Sequence, residues 1–261
     1  MIDLCVINYN TRPLLQRFLN HLHSDYQEDV WNLYIADNGS SDDSREWLSK
    51  NYSRYNISNF IANENIGYSA AANSLAAMGS SDVIAILNAD VWMRTIDVSD
   101  MQDFFNDNMD VHISGPKQRD EDGYITHAGI VGSNIKPEMR GWKKHDPGDN
   151  MYRDVVDCVT VSGSAYFIRR NVWDSMTNNS EYQKIVPGAI GAFLPTPHYY
   201  EETWCSYFAR HLGYNIRYNG NVSIGHSWHK SSPIGGHADR NFPISQKLFR
   251  DACDYFNIER D

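Results

Sequence analysis

The chain has 261 residues, enough for one large α/β domain or two small ones with a sizeable core. Hydrophobic residues make up 41% and charged residues 21%, a globular composition that excludes intrinsic disorder. The 23 Lys and Arg against 33 Asp and Glu give a formal charge of -10, which argues against extensive duplex nucleic-acid binding and leaves room for a local phosphate site or a nucleic-acid substrate held briefly.

The first half alternates strands and helices. Leu4 to Ile7 is a short apolar strand that runs into polar Asn8-Tyr9-Asn10-Thr11, and Pro13 suits the first turn of the helix that follows. Trp31 to Ala36 is a second strand, ending in the turn Asp37-Asn38-Gly39-Ser40, with Ser41 or Asp42 placed to cap a helix carrying Trp47 and Leu48. Ile57 to Ala62 is a third strand, Gly67 opens the small-residue helix YSAAANSLAAM, and Val83 to Leu87 is a fourth strand. Such units imply a mostly parallel sheet with helices on both faces, which binds ligands beyond the carboxyl ends of its strands. Asn10, Asp37, Asn65 and Asp90 all fall at or after such ends, so chain order predicts that they converge.

Beyond about Asp110 the strands become short and are bounded by Gly and Pro: His112 to Ser114, Tyr124 to Val131, Val155 to Val161 and Ala165 to Ile168. The stretch KPEMRGWKKHDPGDN reads as a surface loop. A helix starts at Glu201 or Glu202, continues to about Leu212 and is stopped by Gly213. Asn215 to Tyr218 and Asn221 to Ile224 read as two strands, and Pro243 to Phe256 as an amphipathic terminal helix. The four cysteines have no paired metal-ligand spacing, and Cys5 and Cys158 read as inert core thiols in strands. The opening MIDLCVINYN has no basic region leading into a long apolar segment, and no run reaches bilayer length. These features predict no integral membrane segment and a cytoplasmic protein, free or peripheral to a membrane.

Asn88-Ala89-Asp90 follows the fourth strand directly. A carboxylate delivered there suits Mg or Mn, hard ions that complete their shells with water and substrate phosphates, or else it caps a turn. Asn88 supports the same corner by hydrogen bonding. Asp37 either accepts a hydrogen bond from a nucleobase or ribose or simply forms its turn. Asn65-Ile66-Gly67 brings backbone close to a ligand at a helix start, without being a Walker loop or a dinucleotide fingerprint. Glu201 and Glu202 either complement a helix dipole or take a proton from an acceptor hydroxyl in a dry pocket. His226 or His229 of GHSWHK completes a metal site or makes ordinary hydrogen bonds, and Trp228 covers a sugar or base. Ser162 and Gly163 are candidate acceptor contacts, and Trp142 is either an acceptor stacking platform or a hydrophobic loop anchor.

The ordered set resembles family 2 of the inverting glycosyltransferases over about Ile2 to Lys230, and within it LNADV resembles the rhamnosyltransferase-like variant of the DxD motif. VINYNT, ADNGSSDDS and NENIGYSAAAN look like the nucleotide and donor segments, VSGSAYFIRR like the acceptor strand pair, YYEETWCSYFARHLGY like the catalytic helix, and SIGHSWHKS like the late histidine segment. The resemblance implies a GT-A fold: a single Rossmann-like sheet, with 1–110 binding the nucleotide sugar, 111–230 carrying acceptor and catalysis, and 231–261 a C-terminal extension. That extension either covers the acceptor site or makes a homodimer. The resemblance also implies Thr11 and Asp37 on the nucleotide, Asn65 and Gly67 near the donor, Asp90 and His226 on Mn or Mg, and Glu202, with Glu201 before it, as the base. Asn88 stands where a strict DxD has its first Asp, and Glu202 where the family usually has Asp. A nucleotidyltransferase and a non-catalytic carbohydrate-binding protein are the alternatives.

Overall fold

A computed structural model describes residues 1–25, 27, 29–62, 64–228 and 237–260. The first half contains β1 (Ile2–Asn8), α1 (Arg12–Leu22), β2 (Trp31–Asn38), α2 (Ser44–Asn51), β3 (Ile57–Ala62), α3 (Tyr68–Ala76) and β4 (Val83–Asn88). The strand–helix alternation expected from the sequence is present. Strands β1 to β4 are parallel in the order β3-β2-β1-β4. Register brings their carboxyl ends level, with Asn8 beside Asp37 and Ile7 beside Asn88.

The second half contains β5 (Val91–Trp92), α4 (Thr95–Asp107), β6 (Ile113–Arg119), β7 (Ile125–His127), β8 (Ile130–Gly132), β9 (Pro137–Met139), β10 (Val155–Asp157), β11 (Ala165–Arg169), α5 (Arg170–Thr177), α6 (Tyr182–Ile185), α7 (Glu201–His211), β12 (Ile216–His226) and α8 (His237–Phe256). The sheet continues β4-β11-β6-β12-β10, with β11 antiparallel to both neighbours and β12 parallel to β6. The result is a mixed α/β fold with one central sheet flanked by helices. It is consistent with a GT-A-like Rossmannoid fold.

Alternating residues face opposite layers, as the pleat requires. Leu4, Val6, Ala85 and Leu87 pack with Leu15 and Phe18 of α1, Leu48 of α2 and Phe105 of α4. Cys5, Ile7, Ile84 and Ile86 pack with Ala71, Ala72 and Leu75 of α3, Trp204 and Phe208 of α7, and Phe249 and Cys253 of α8. The terminal helix is thus part of one core layer, and Tyr200 stacks on Phe249 at 4.8 Å. The expected boundary after Lys230 falls among residues 229–236, outside the described residues. Among the described residues no helix is long and apolar enough to cross a membrane.

Several boundaries differ from the sequence expectation. The strand expected over Tyr124 to Val131 is split into β7 and β8 by Gly129, at φ 89. The two strands expected at 215–218 and 221–224 are one, β12, whose register shifts between Asn219 and Ser223. Turn-forming Gly220 and Asn221 therefore make an irregularity inside a paired strand instead of a break. Strand β6 runs on to Arg119 because β12 pairs along it. The strand expected over 155–161 ends at Asp157, beyond which the chain is held by single bonds such as Val159 N donating to Ile130 O at 2.9 Å. Helix α8 begins at His237, with Pro243 inside it rather than at its start.

Candidate active site

The carboxyl ends of β1, β2 and β4 open into a cleft of ≈ 910 Å³. Pockets for small ligands span about 300–1,000 Å³, and this one lies near the upper end of that range. Asn10, Thr11, Asn65, Asn88 and Asp90 line it from the first half of the chain; Trp142, Ser162, Gly163, Glu201, Glu202, His226 and Trp228 line it from the second. Two expected residues stand behind the wall. Gly67 is the N-cap of α3 at φ 88, a left-handed position that favours glycine. Asp37 has no exposure: its carboxylate accepts hydrogen bonds from Asn8 Nδ2 at 2.9 Å, the Ser40 amide at 3.0 Å and Arg45 Nε at 3.3 Å.

Asp37 therefore reaches the cleft through others. Asn8 Oδ1 accepts from Thr11 Oγ1 at 2.8 Å, and Ser40 Oγ accepts from the Asn10 amide at 2.9 Å. The next residue of β2, Asn38, faces the cleft in its place. Asn38 accepts from the Ile66 amide at 3.0 Å and donates to Asn65 Oδ1 at 3.1 Å, which pins the donor-side loop to the strand end.

Asp90 and His226 are 136 positions apart in sequence, and the short strand β5 unites them. It pairs antiparallel with the end of β12, Val91 beside His226 and Trp92 beside Gly225. Asp90 Oδ1 lies 3.5 Å from His226 Nε2, the residues 2% and 6% exposed. Asp90 O also accepts from the Ser227 amide at 2.9 Å. Outside this corner Arg17 of α1 lies over the Trp92 ring at 3.7 Å and donates to Glu121 at 2.7 Å and to Ser227 Oγ at 3.2 Å. Ser227 Oγ in turn donates to Glu121 at 2.5 Å. The clasp fixes the residue after His226 against α1.

Among the described residues no group of three or more His, Cys, Asp or Glu could hold a metal ion. The donor set is one carboxylate and one imidazole, both buried at the cleft. His226 Nδ1 has no hydrogen-bond partner among the described residues, so the ring is not committed to a structural bond there. This pair fits Mg or Mn, which accept few protein ligands and fill the remaining positions with water and substrate phosphate. His229 lies outside the described residues.

The first turn of α7 supplies the carboxylates. Tyr199 and Tyr200 precede it at φ 69 and 70, two consecutive left-handed non-glycine residues that turn the helix start into the cleft. Glu201 is 5% exposed and accepts from Thr196 Oγ1 at 3.2 Å; burial and the neighbouring Glu202 push its carboxyl up to about 8. Glu202 is half-buried and lies against Gly163, and burial raises its carboxyl as well. Dry surroundings make a carboxylate a stronger base. Trp142 and Trp228 meet edge to face at 4.6 Å and 86°, forming an apolar corner of the same cleft.

Residues 3–176 match the family described as Glycosyl transferase family 2. The chain belongs to that family. No curated protein matches it. Among solved structures, this family 2 chain is similar to the mannosyltransferase PcManGT from Pyrobaculum calidifontis in complex with GDP-Man and Mn2+, at TM-score 0.62 and 14% identity over 97% of this chain and 64% of that one. It is similar to S. aureus TarS 1-349 in complex with UDP-GlcNAc, at TM-score 0.63 and 12% identity over 95% of this chain and 65% of that one. A third is GalNAc-T7 with UDP, GalNAc and Mn2+, at TM-score 0.67 and 12% identity over 98% and 48%. The chain spans less than two thirds of each, and at these identities the likeness is one of fold.

Several cleft residues of this family 2 member have no signal in the sequence. Tyr68 donates from its hydroxyl to Gly163 O at 3.2 Å, joining α3 to the bend before β11. His198 stands edge-on to Tyr68 at 6.0 Å. His127 is 3% exposed, and burial beside His226 and Arg140 lowers its imidazole to about 3, so the ring is neutral. Only Asn38, adjacent to the expected Asp37 and opposite in pleat, was open to inference.

Proposed function

We propose that this chain is an inverting glycosyltransferase that moves a sugar from a nucleoside-diphosphate sugar to an acceptor hydroxyl by direct displacement. The observation that carries this reading is one cleft holding the Asp90–His226 corner, the Asn38–Asn65 donor loop and a half-buried Glu202 beside the Gly163 bend. Asp90 and His226 would hold Mn or Mg, which when bound offsets negative charge on the leaving diphosphate. Asn10, Thr11, Asn38 and Asn65 bind and orient the nucleotide, and Asp37 positions them through Asn8 and Ser40. Glu202 takes the proton from the acceptor hydroxyl as that oxygen bonds to the anomeric carbon from the face opposite the leaving group. Glu201, more buried and bonded to Thr196, shapes the field around the base.

The LNADV segment, with Asn88 ahead of a single carboxylate, supports the rhamnosyltransferase-like branch. UDP- and dTDP-linked sugars are the donors to screen first. Binding is measured by calorimetry with and without Mn2+, and turnover as slow release of nucleoside diphosphate. Glu202→Gln is expected to keep donor binding and lose nearly all turnover, while Asp90→Ala loses the metal-dependent part of binding. A Glu202→Gln protein with wild-type turnover refutes the assignment of the base.

A further inference from the structure

Thr126 of β7 lines the cleft, is 8% exposed, and its hydroxyl has no hydrogen-bond partner among the described residues. A buried hydroxyl without a partner costs the fold stability, and most such groups in proteins are paired. Valine has nearly the same shape, suits a strand equally well and would remove that cost. The neighbouring His127 is buried and fixed. Its Nε2 accepts from the Ser162 amide at 3.5 Å, which places the ring proton on Nδ1, and the ring stands edge-on to Tyr218 at 5.9 Å.

The row continues along the same wall. Ser162 and Ser164 share a hydrogen bond of 2.8 Å between hydroxyls, and Ser164 donates to Gln118 at 2.7 Å. Side chains of Thr126 and His127 on β7, and of Ser162 and Ser164 in the bend before β11, therefore offer a series of short hydroxyl-bonding groups, next to the crossed rings of Trp142 and Trp228. A pyranose matches both parts: its C–H face packs on an aromatic ring and its ring-edge hydroxyls bond to short polar groups. A site built to bond a hydroxyl discriminates strongly against ligands that lack it, because its own buried polar atom then stays unpaired.

We propose that Thr126 and His127 form a hydroxyl-reading wall that, with Trp142 and Trp228, selects a pyranose as the acceptor. This rests on the glycosyltransferase reading of the cleft, and its test reads acceptor binding separately from donor turnover. Thr126 and His127 are specificity-determining residues in this scheme, distinct from the base and from the metal corner.

The test uses the full chain and a panel of p-nitrophenyl hexopyranosides, with binding followed by tryptophan fluorescence in the presence and absence of UDP and Mn2+. At least one glycoside is expected to bind the wild-type protein. Thr126→Val should bind it about tenfold more weakly, the worth of one good hydrogen bond to a buried group, while Thr126→Ser stays within about threefold. The melting temperature of Thr126→Val should equal or exceed that of the wild type, because a buried unpaired hydroxyl has been removed. His127→Phe should lose glycoside binding. Three results overturn the proposal: no glycoside binds the wild type, Thr126→Val binds as the wild type does, or Thr126→Val melts lower, which would make the hydroxyl structural. Donor hydrolysis without glycoside binding sinks the acceptor wall alone. Glycoside binding without nucleotide-sugar binding leaves the wall standing and sinks the glycosyltransferase reading.

Discussion

Replacing Gly163 by alanine moves the carboxylate assigned as the base without touching the nucleotide half of the cleft. A Cβ at this position would lie 3.1 Å from both Cγ and Cδ of Glu202 and 3.3 Å from its Oε2. Carbons at rest sit about 3.5–4.0 Å apart, so Glu202 must withdraw by about 0.4–0.9 Å. Gly163 is outside the left-handed region, so alanine adds no backbone strain, and the obstructing group is the end of a flexible side chain. The fold should absorb the change. The chemistry should not, since a misplacement of about 1 Å costs on the order of 100-fold and a fraction of that costs about tenfold, about 1.4 kcal/mol of transition-state stabilisation. The assay is acceptor-dependent release of nucleoside diphosphate, with donor affinity measured by calorimetry on the same protein. The expected result is a tenfold lower kcat at unchanged donor Kd. Wild-type kcat in Gly163→Ala would refute the placement of the base against the 163 bend.

Glu201→Gln should flatten the alkaline loss of stability. The carboxyl titrates near 4.5 when unfolded and about 8 when folded, so its contribution is fully present below about 4.5 and is lost as pH rises through about 8. Denaturation midpoints from pH 6 to 9 should therefore fall more steeply for the wild type than for the variant; parallel curves would contradict the buried carboxyl. Glu202 is raised in the same direction, so kcat should climb with pH through a value above the ordinary 4.5, and a flat acid limb would count against it as base. His226→Ala should weaken Mn2+ binding, followed by the paramagnetic signal of free Mn2+; wild-type Mn2+ affinity would remove His226 from the metal corner. Lys117, with no exposure, pairs with Asp146, contacts Asp149 at 2.9 Å and donates to Met151 O at 2.5 Å, so it ties the loop carrying Trp142 to β6. Lys117→Met leaves carboxylates buried without their cation and should cost about 3–5 kcal/mol by urea denaturation; a loss under about 1 kcal/mol would make the buried cluster incidental.

The first half of the fold was legible because its apolar runs are long, its turns carry Asn, Asp and Gly, and parallel strands place their carboxyl ends together by topology. Of the four residues expected to converge, Asn10, Asn65 and Asp90 line one cleft and Asp37 lies buried behind it. The same logic misjudged the second half where pairing overrode local punctuation. Gly220 and Asn221 read as a break, yet they lie inside β12 because β6 and β10 hold that strand on both sides. Sequence put Asp37 at the end of β2 but gave no sign that Asn8, Ser40 and Arg45 would claim its carboxylate.

By itself, then, the sequence determined the α/β class, the order of the donor segments and the presence of acidic residues at the head of α7. Tertiary structure decided everything that depends on contact across long separations. It set Asp90 against His226 through the two-residue β5, put Asn38 in the cleft and Asp37 behind it, and laid Glu202 against Gly163. It also placed Thr126 and His127 in the lining of the cleft, where neither residue type nor spacing marks them. The physical reason is the pleat and the pairing: local pattern tells which residues alternate, and only the partner strand tells which face of the alternation meets the ligand.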